Sequence, residues 1–266
     1  MSIKSFLSVS VTAFLLLCCG KENGGPDPIP GPACVVNEFP DTYFDSGSYT
    51  VTYDENGRVA AIKQFSFNLF TFTYDANGRV SKFKAGVSQL EGLGGEEHTV
   101  TYDASGRIAT IEASTEDGLN GTYKITATPT YDAQNRVTKM TVTDPKGTVY
   151  DYTKRMEYDN AGNVTKVYLA REGEAEKLVA EYTYDAKKSP FAEQKAFQFI
   201  PLISSQADKS HYLSPNNPAV FTGTSYNYSA SYQYTNDLPA QMTLALKKTG
   251  DPAPTSKQKE YKYTCK

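Results

Sequence analysis

Residues 53–59 read YDENGRV, and five further versions of this tyrosine–aspartate turn follow along the chain. They are YDANGRV at 74–80, YDASGRI at 102–108, YDAQNRV at 131–137, YDNAGNV at 158–164 and the decayed YDAKKSP at 184–190. Successive tyrosines stand 21, 28, 29, 27 and 26 residues apart. A period in the twenties is typical of one supersecondary unit that stacks on copies of itself. The sequence therefore predicts a repeat architecture.

Each copy predicts a β-hairpin. Aromatic or β-branched residues alternate with threonines before the turn, as in YTVTY at 49–53, so the apolar residues share one face. The motif aspartate can accept a main-chain N–H two residues further on. Three residues after it the turn needs positive φ, and the position holds Gly57, Gly78, Gly106, Asn135 or Gly162.

The repeated hairpins predict an all-β fold. We expect an antiparallel meander of about a dozen strands that forms a strongly curved sheet or a partly closed barrel, with the motif tyrosines inside. Apolar residues of the return strands stand three apart, as Val59 and Ile62 do. Such residues face opposite sides of a flat strand, so either a bulge realigns them or both faces are covered.

Residues 189–222 interrupt the repeat. Six apolar residues between Phe191 and Ile203 predict a short helix and a loop that become buried, as a cap over the sheet or a plug in its concave face. A ligand-gating lid is the alternative. The loops opposite the motif turns vary in length, which is typical of a recognition rim, or of drift in solvent-exposed loops.

The N-terminus predicts export. Lys4 provides a positive start, and the apolar stretch 6–17 is too short to cross a bilayer. It runs into LLCCG, which resembles a bacterial lipoprotein cleavage box with Cys19 as the lipidated residue, since the small Cys18 precedes it. We therefore expect a signal peptide over 1–18. An ordinary secretory signal is the alternative.

A tether is expected to follow the lipid anchor. Residues 19–34 are rich in Gly and Pro and would hold the YD-repeat domain, residues 35–266, away from the membrane. Gly20-Lys21-Glu22 resembles the surface-export signal of lipoproteins in certain Gram-negative gut commensals. The predicted location is the outer membrane, at the cell surface.

Two cysteines remain once the lipobox is assigned. Cys34 and Cys265 stand at the two ends of the folded region, in an oxidising compartment. We expect a disulfide between them, which would stabilise by roughly 4 to 5 kcal/mol in the chain-entropy model.

The units resemble the YD repeats of the RHS family of bacterial surface and toxin-delivery proteins. The lipobox, the tether and the irregular units are similar to small gut-commensal lipoproteins of unknown function, described as porin-like in fold. Ser189-Pro190-Phe191 and Ser214-Pro215-Asn216-Asn217-Pro218 add to that likeness, although that family usually has Asn where Ser189 stands. The resemblance covers about residues 45–266 and implies no catalytic residues.

Composition and motifs give little support to catalysis. The net charge is −3, with Lys+Arg 27 against Asp+Glu 30, and no basic stripe predicts nucleic-acid binding. His98 and His211 stand far apart without a second ligand at helical or hairpin spacing. The motif aspartates could bind Ca²⁺ along one rim, but their turns already account for them. We expect no metal, no cofactor and no catalytic residue.

Three functions are compatible with the sequence. The first is a non-enzymatic surface lipoprotein that acts as a scaffold or contacts other proteins. The second is a glycan-binding accessory lipoprotein, for which the tail tyrosines Tyr226, Tyr228, Tyr232 and Tyr234 are the candidate contacts if they are exposed. The third is a degradative enzyme of unrecognised type. A pore is not expected. Outer-membrane strands need about 9 to 11 residues with an outward apolar band, whereas the strands predicted here are shorter and place threonines and charges outward.

Overall fold

The computed structural model describes residues 34–42, 47–65, 67–86, 96–117, 121–144, 151–205 and 207–265. The predicted signal peptide, Cys19 and the tether up to residue 33 lie outside the described residues. The same holds for much of the variable loops, including 87–95, 118–120 and 145–150.

Within the described ranges the chain is nearly all β and has 17 strands in one sheet. The strands of the first eight hairpin arms are β1 Cys34–Pro40, β2 Ser48–Tyr53, β3 Val59–Gln64, β4 Phe67–Tyr74, β5 Val80–Ala85, β6 Glu96–Tyr102, β7 Ile108–Asp117 and β8 Gly121–Tyr131. The remaining strands are β9 Val137–Thr143, β10 Tyr152–Tyr158, β11 Val164–Arg171, β12 Lys177–Lys188, β13 Asn216–Gly223, β14 Tyr226–Thr235, β15 Leu238–Lys248, β16 Thr255–Glu260 and β17 Lys262–Cys265.

The strand count exceeds the predicted dozen. The difference has two sources: degenerate hairpins continue to the C-terminus, and β1 and β17 join the sheet without a YD motif. From β2 to β16 each strand pairs antiparallel with the next. One residue, Tyr261, separates β16 from β17, and β1 pairs with both β17 and β2. The meander is therefore a nearly closed, barrel-shaped sheet.

A bulge resolves the spacing of the apolar residues. In the first YD hairpin Tyr53 pairs with Val59 and Thr52 with Ala61, so Ala60 is the extra residue. Val59 and Ile62 are consequently both buried, at 1% and 2% exposure. The same register shift falls immediately before the motif tyrosine in the next four hairpins. Of the two readings of this spacing, the bulge is the correct one.

The non-repeat segment is inserted into the sixth hairpin. The first five motif tyrosines pair with the residue six positions later, whereas Tyr184 pairs with Pro218. Residues 216–222, predicted to belong to the interruption, instead form most of the return strand β13. The prolines at 215 and 218 had obscured its strand pattern. The interruption itself ends at Pro215.

The inserted segment fills the interior and is here called the plug, residues 189–215. It contains 3-10 turns at Lys195–Gln198 and Ser210–Leu213 and one short helix, α1, Phe199–Ile203. Phe197 and Leu202 are 0% exposed. Aromatic rings of the barrel pack against it, with Phe39 of β1 and Phe83 of β5 lying 5.6 and 5.2 Å from Phe197 and Phe199. The predicted burial of this segment thus takes the form of a plug.

The motif tyrosines face the interior, as the alternation predicted. Tyr53, Tyr74, Tyr102, Tyr131, Tyr158 and Tyr184 pack against the hydrophobic core. The barrel therefore has two distinct rims: a YD rim, formed by the motif turns, and an opposite rim that carries the variable loops. No helix in the part of the chain that the structure describes is both long enough and apolar enough to span a bilayer.

Candidate functional site

Each YD turn is held by its aspartate. In the third unit, Oδ1 of Asp103 accepts hydrogen bonds from the main-chain N–H groups of Ser105 and Arg107, both at 2.9 Å. Oδ2 accepts from Nε of Arg107 at 2.8 Å. The main-chain and then the side-chain hydrogen bonds of Arg107 lower the pKa of the Asp103 carboxyl. Gly106 has φ of 78°, so the residue expected to be left-handed is left-handed.

The motif arginine also links one unit to the next. The guanidinium of Arg58 lies 4.3 Å from the ring centroid of Tyr74 while it pairs with Asp54 at 2.7 Å. Equivalent stacking distances of 4.3, 4.9 and 4.7 Å occur in the next three units. The arginine thus neutralises its own turn and covers the following tyrosine.

The tyrosine hydroxyls close the same junctions. Ladder pairing between units stops short of the YD rim; β3 and β4, for example, last pair at Ala61 and Thr71. The strands separate beyond that point and leave a wedge between units. The hydroxyl of Tyr74 donates to the main-chain oxygen of Val59 at 2.8 Å, a carbonyl that lies beyond the last β3–β4 pair. Equivalent bonds are made by Tyr102, Tyr131, Tyr158 and Tyr184.

The wedge between the fifth and sixth units lacks its arginine. Asn163 stands where the first four units have Arg, and its Nδ2 donates to Oδ2 of Asp159 at 3.0 Å. Asn163 is only 3% exposed, and its Oδ1 accepts from the main-chain N–H of Asn216 at 3.1 Å. Burial raises the pKa of Asp159, but hydrogen bonds from Asn163 outweigh it and leave the pKa below its usual range.

A cleft of about 520 Å³ occupies this wedge. It opens to solvent past exposed residues of its wall such as Ala161 and Ala186. Two carboxylates, Asp159 and Asp185, belong to its lining together with the ring of Tyr184. The remaining lining residues are Asn163, Thr165, Tyr182, Thr183 and Asn216. A flat aromatic ring, two acids and several amide or hydroxyl groups suit a cation or a polyhydroxylated ligand.

The barrel interior contains polar groups that bind the plug. Lys154 of β10 is 0% exposed and donates to the main-chain oxygens of Pro201 and Ser204. Burial lowers the pKa of Lys154 to about 7. The hydroxyl of Tyr182 donates to the main-chain oxygen of Ala207 at 2.6 Å. These contacts tie the plug to the wall.

The four tail tyrosines do not form an exposed platform. Tyr226 and Tyr228 are 7% and 3% exposed, and Tyr232 and Tyr234 are half-buried. The exposure that a glycan-binding role would require of them is not met, because even-numbered residues of β14 face inward along with the core. Their hydroxyls serve the interior: Tyr226 donates to Asp208 and Tyr232 to the main-chain oxygen of Pro218, both at 2.8 Å.

The other predicted site residues are placed as follows. Cys34 and Cys265 are joined by a disulfide between β1 and β17. His98 is stacked on Phe83, whereas His211 lies elsewhere with its ring tilted against Tyr182, and burial lowers the pKa of each histidine to about 4. No group of three His, Cys, Asp or Glu among the described residues is placed to hold a metal ion.

The comparisons with known proteins agree with this geometry. A family model described as the teneurin YD-shell matches residues 40–176, which is just over half of the chain. The chain belongs to the teneurin YD-shell family. No match was found among curated proteins.

A solved structure resembles this YD-shell protein in fold. A porin-like protein from Bacteroides uniformis is 13% identical with a TM-score of 0.52, covering 90% of this chain and 98% of that one. A porin-like protein from Bacteroides vulgatus is 12% identical with a TM-score of 0.49, covering 86% and 99%. At such identities the first likeness concerns the fold alone.

Two features of the YD-shell were not anticipated from the sequence. The sequence shows Asn163 at the position of the motif arginine in the fifth unit. It does not show the wedge there, because the wedge depends on how neighbouring hairpins separate. The inward position of Lys154 could have been found from the sequence. Lys154 stands two residues from both Tyr152 and Met156, which face the core, and residues two apart in a strand share a face.

Proposed function

We propose that this YD-shell protein is a lipid-anchored, non-enzymatic scaffold or protein-contact lipoprotein of the outer membrane, exposed at the cell surface. The observation that carries the proposal is the filled barrel. The plug occupies the concave face, and the aspartate and arginine of each of the first four YD turns pair with each other. Partners are then left with the outer wall and the rims.

The direction of β1 supports an orientation. Pro40 pairs with Ser48, where β2 begins, so Cys34 lies at the YD rim. Because Cys34 is the barrel residue nearest in sequence to Cys19, we propose that the YD rim is the one that faces the membrane. The rim with the variable loops then faces away from the membrane, where a partner can reach it.

Protease treatment of intact cells that produce the full chain tests the location. We expect wild type to be digested and to fractionate with the outer membrane. Changing Cys19 to Ser should release the protein from the membrane. The double change Lys21→Ala and Glu22→Ala keeps the anchor and should protect the protein from protease. Digestion of wild type only after the outer membrane is permeabilised contradicts surface exposure.

The non-enzymatic part has its own test. The purified full chain is incubated with panels of polysaccharide, peptidoglycan and protein substrates, and product release is measured. We expect no turnover. Turnover that a single carboxylate substitution such as Asp159→Asn abolishes would overthrow this part of the proposal.

A glycan-binding accessory role is the second candidate, and the cleft favours it over the buried tail. Tyr184 with Asp159, Asp185 and two asparagines gives an aromatic surface beside polar groups, as sugar sites often have. A glycan array on the full chain tests it. Selective binding that survives Tyr232→Ala but is lost on blocking the cleft with Ala186→Arg supports this role.

A further inference from the structure

We propose that the cleft beside Asn163 binds an arginine side chain presented by a partner protein. The guanidinium lies beside the place that the motif arginine occupies in the first four units, because the Asn163 amide bonds Oδ2 of Asp159 there. This inference rests on the proposed contact role and names the chemistry of one contact. The cleft lies in the outer wall near the YD rim. In the first four units the motif arginine covers the equivalent wedge.

Four internal copies define what the wedge accepts. In each, a guanidinium pairs with the turn aspartate at 2.7 or 2.8 Å and lies 4.3 to 4.9 Å from the ring of the next motif tyrosine. These four pairs occupy the same position in the repeat. The fold therefore displays its own ligand at the equivalent sites.

The fifth unit keeps the receiving groups and lacks the cation. Asp159 and Tyr184 both line the cleft. Asp159 accepts hydrogen bonds from the main-chain N–H of Asn163 at 2.8 Å and from its amide. No salt bridge within the part of the chain that the structure describes involves Asp159, whereas the four preceding motif aspartates each have one.

Neighbouring cations are engaged elsewhere. The guanidinium of Arg136 pairs with Asp132 and reaches only the main-chain oxygen of Asp159, at 3.3 Å. Lys187 pairs with Asp237 at 2.6 Å. The second carboxylate of the cleft, Asp185, accepts from the main-chain N–H of Lys187 and from the hydroxyl of Tyr234. The cleft thus presents two acids to an incoming group.

Size and shape favour arginine over other ligands. A volume of about 520 Å³ is ample for a guanidinium and its stem. A guanidinium is planar, weakly hydrated and able to stack on a ring while it donates to a carboxylate in a fork. An ammonium is a compact, strongly hydrated charge and uses only part of this geometry. A sugar fits the lining but leaves the carboxylate charge of Asp159 uncompensated.

Titration of the detergent-solubilised full chain tests the inference. The probes are acetyl-arginine-amide, its neutral analogue acetyl-citrulline-amide and acetyl-lysine-amide, followed by NMR or calorimetry. We expect the arginine probe to bind about tenfold or more tightly than the citrulline probe. Asp159→Asn keeps a side-chain oxygen that can accept the main-chain N–H of Asn163 but removes the negative charge. This variant should therefore lose the preference for the arginine probe over the citrulline probe. The matched change Asp132→Asn, in the fourth unit, should leave it unaltered.

Two further variants fill the cleft. Asn163→Arg restores the motif arginine of the fifth unit. Ala186→Arg places an arginine at the mouth of the cleft from an exposed position and leaves the buried Asn163 unchanged. Both should abolish binding of the arginine probe, and the melting temperature of Ala186→Arg should stay near that of wild type. Equal binding of arginine and citrulline, or unchanged binding in Ala186→Arg, overturns the inference, as does binding of sugars in place of arginine. In those cases surface exposure in the protease test still stands by itself, so the two failures are distinguishable.

Discussion

The side-chain nitrogen of Lys154 in β10 donates a hydrogen bond to the main-chain oxygen of Ser204, 2.6 Å away, where α1 ends. The same nitrogen donates to the main-chain oxygen of Pro201. Since Lys154 is fully buried, no water is at hand to replace it as a donor. One lysine of the wall therefore satisfies two carbonyls at the C-terminal end of the plug helix.

Replacing this lysine should loosen the plug. Lys154→Met keeps most of the volume but leaves two buried carbonyls without their donor, so we expect a loss of about 2–4 kcal/mol in the free energy of unfolding. Urea denaturation measures it. Lys166→Met, on the neighbouring strand, removes a partly exposed lysine and should cost less than about 0.5 kcal/mol. Equal effects of the two changes contradict the role given to Lys154.

Lys154 also predicts a pH dependence. Its folded pKa of about 7 lies below the unfolded value of 10.5, so the unfolded chain binds the proton more tightly. Its contribution to stability is therefore present at high pH and is lost as pH falls towards 7. Between pH 7 and 9.5 wild type should gain up to ~3 kcal/mol that Lys154→Met does not gain. Parallel pH profiles of the two proteins contradict this.

The stacking of arginine on the next tyrosine predicts that lysine is a poor substitute. Arg107→Lys keeps the charge but loses the hydrogen bond from Nε to Asp103 and the planar contact with Tyr131, so we expect a loss of about 1 kcal/mol. Arg107→Gln should cost about 1–2 kcal/mol. The exposed Lys84→Gln serves as the control. If Arg107→Lys leaves the free energy of unfolding unchanged, the charge alone stabilises the contact between these units, and the role given to stacking on Tyr131 is contradicted.

The tyrosine hydroxyls predict alkaline sensitivity. Burial raises the pKa of Tyr74, Tyr102 and Tyr131 to about 12, above the unfolded value of 10. The unfolded chain releases these protons first, so stability should fall as pH rises from 10 towards 12. Phenolate absorbance should rise together with unfolding. Tyr131→Phe, which leaves the carbonyl of Ile108 unpaired, should cost about 1 kcal/mol at neutral pH and make the alkaline loss smaller.

The left-handed turn position separates backbone strain from packing. An added Cβ at Gly106 meets no atom within 4 Å, so Gly106→Ala should cost only the backbone strain of positive φ, about 1–2 kcal/mol. Asn135 has φ of 61° and makes a hydrogen bond with Arg107. Asn135→Gly should therefore change stability by less than about 0.5 kcal/mol, while Asn135→Ala should lose about 1 kcal/mol. Thermal unfolding of the three variants gives the comparison.

The local chemistry of the repeat made much of the fold predictable. Positive φ at Asn135 and inward-facing motif tyrosines follow from turn geometry and strand parity, both readable in sequence. The spacing of Val59 and Ile62 left two solutions open, because parity alone does not reveal a bulge. The strand count was low since the last hairpins have lost the motif.

Long-range features were harder to anticipate. The apolar residues of the plug demanded burial, but whether they cap the sheet or fill it depends on closure of the barrel by β1 and β17. Tyr226 and Tyr228 alternate like any half-buried strand, and which face is inside is set by pairing with neighbours. The cleft beside Asn163 exists only where two strands separate, which no pattern along a single strand encodes.

Hydrogen exchange of the plug tests most directly whether the barrel is a filled scaffold. The amides of 197–203 should exchange as slowly as those of β10, because both open only when the barrel unfolds. Lys154→Met should speed the plug amides more than the amides of β2. Exchange of 197–203 at rates far above those of β10 in wild type, with the barrel still protected, would mean that the plug opens alone. The segment would then be a lid over a ligand cavity, and the scaffold account would be wrong.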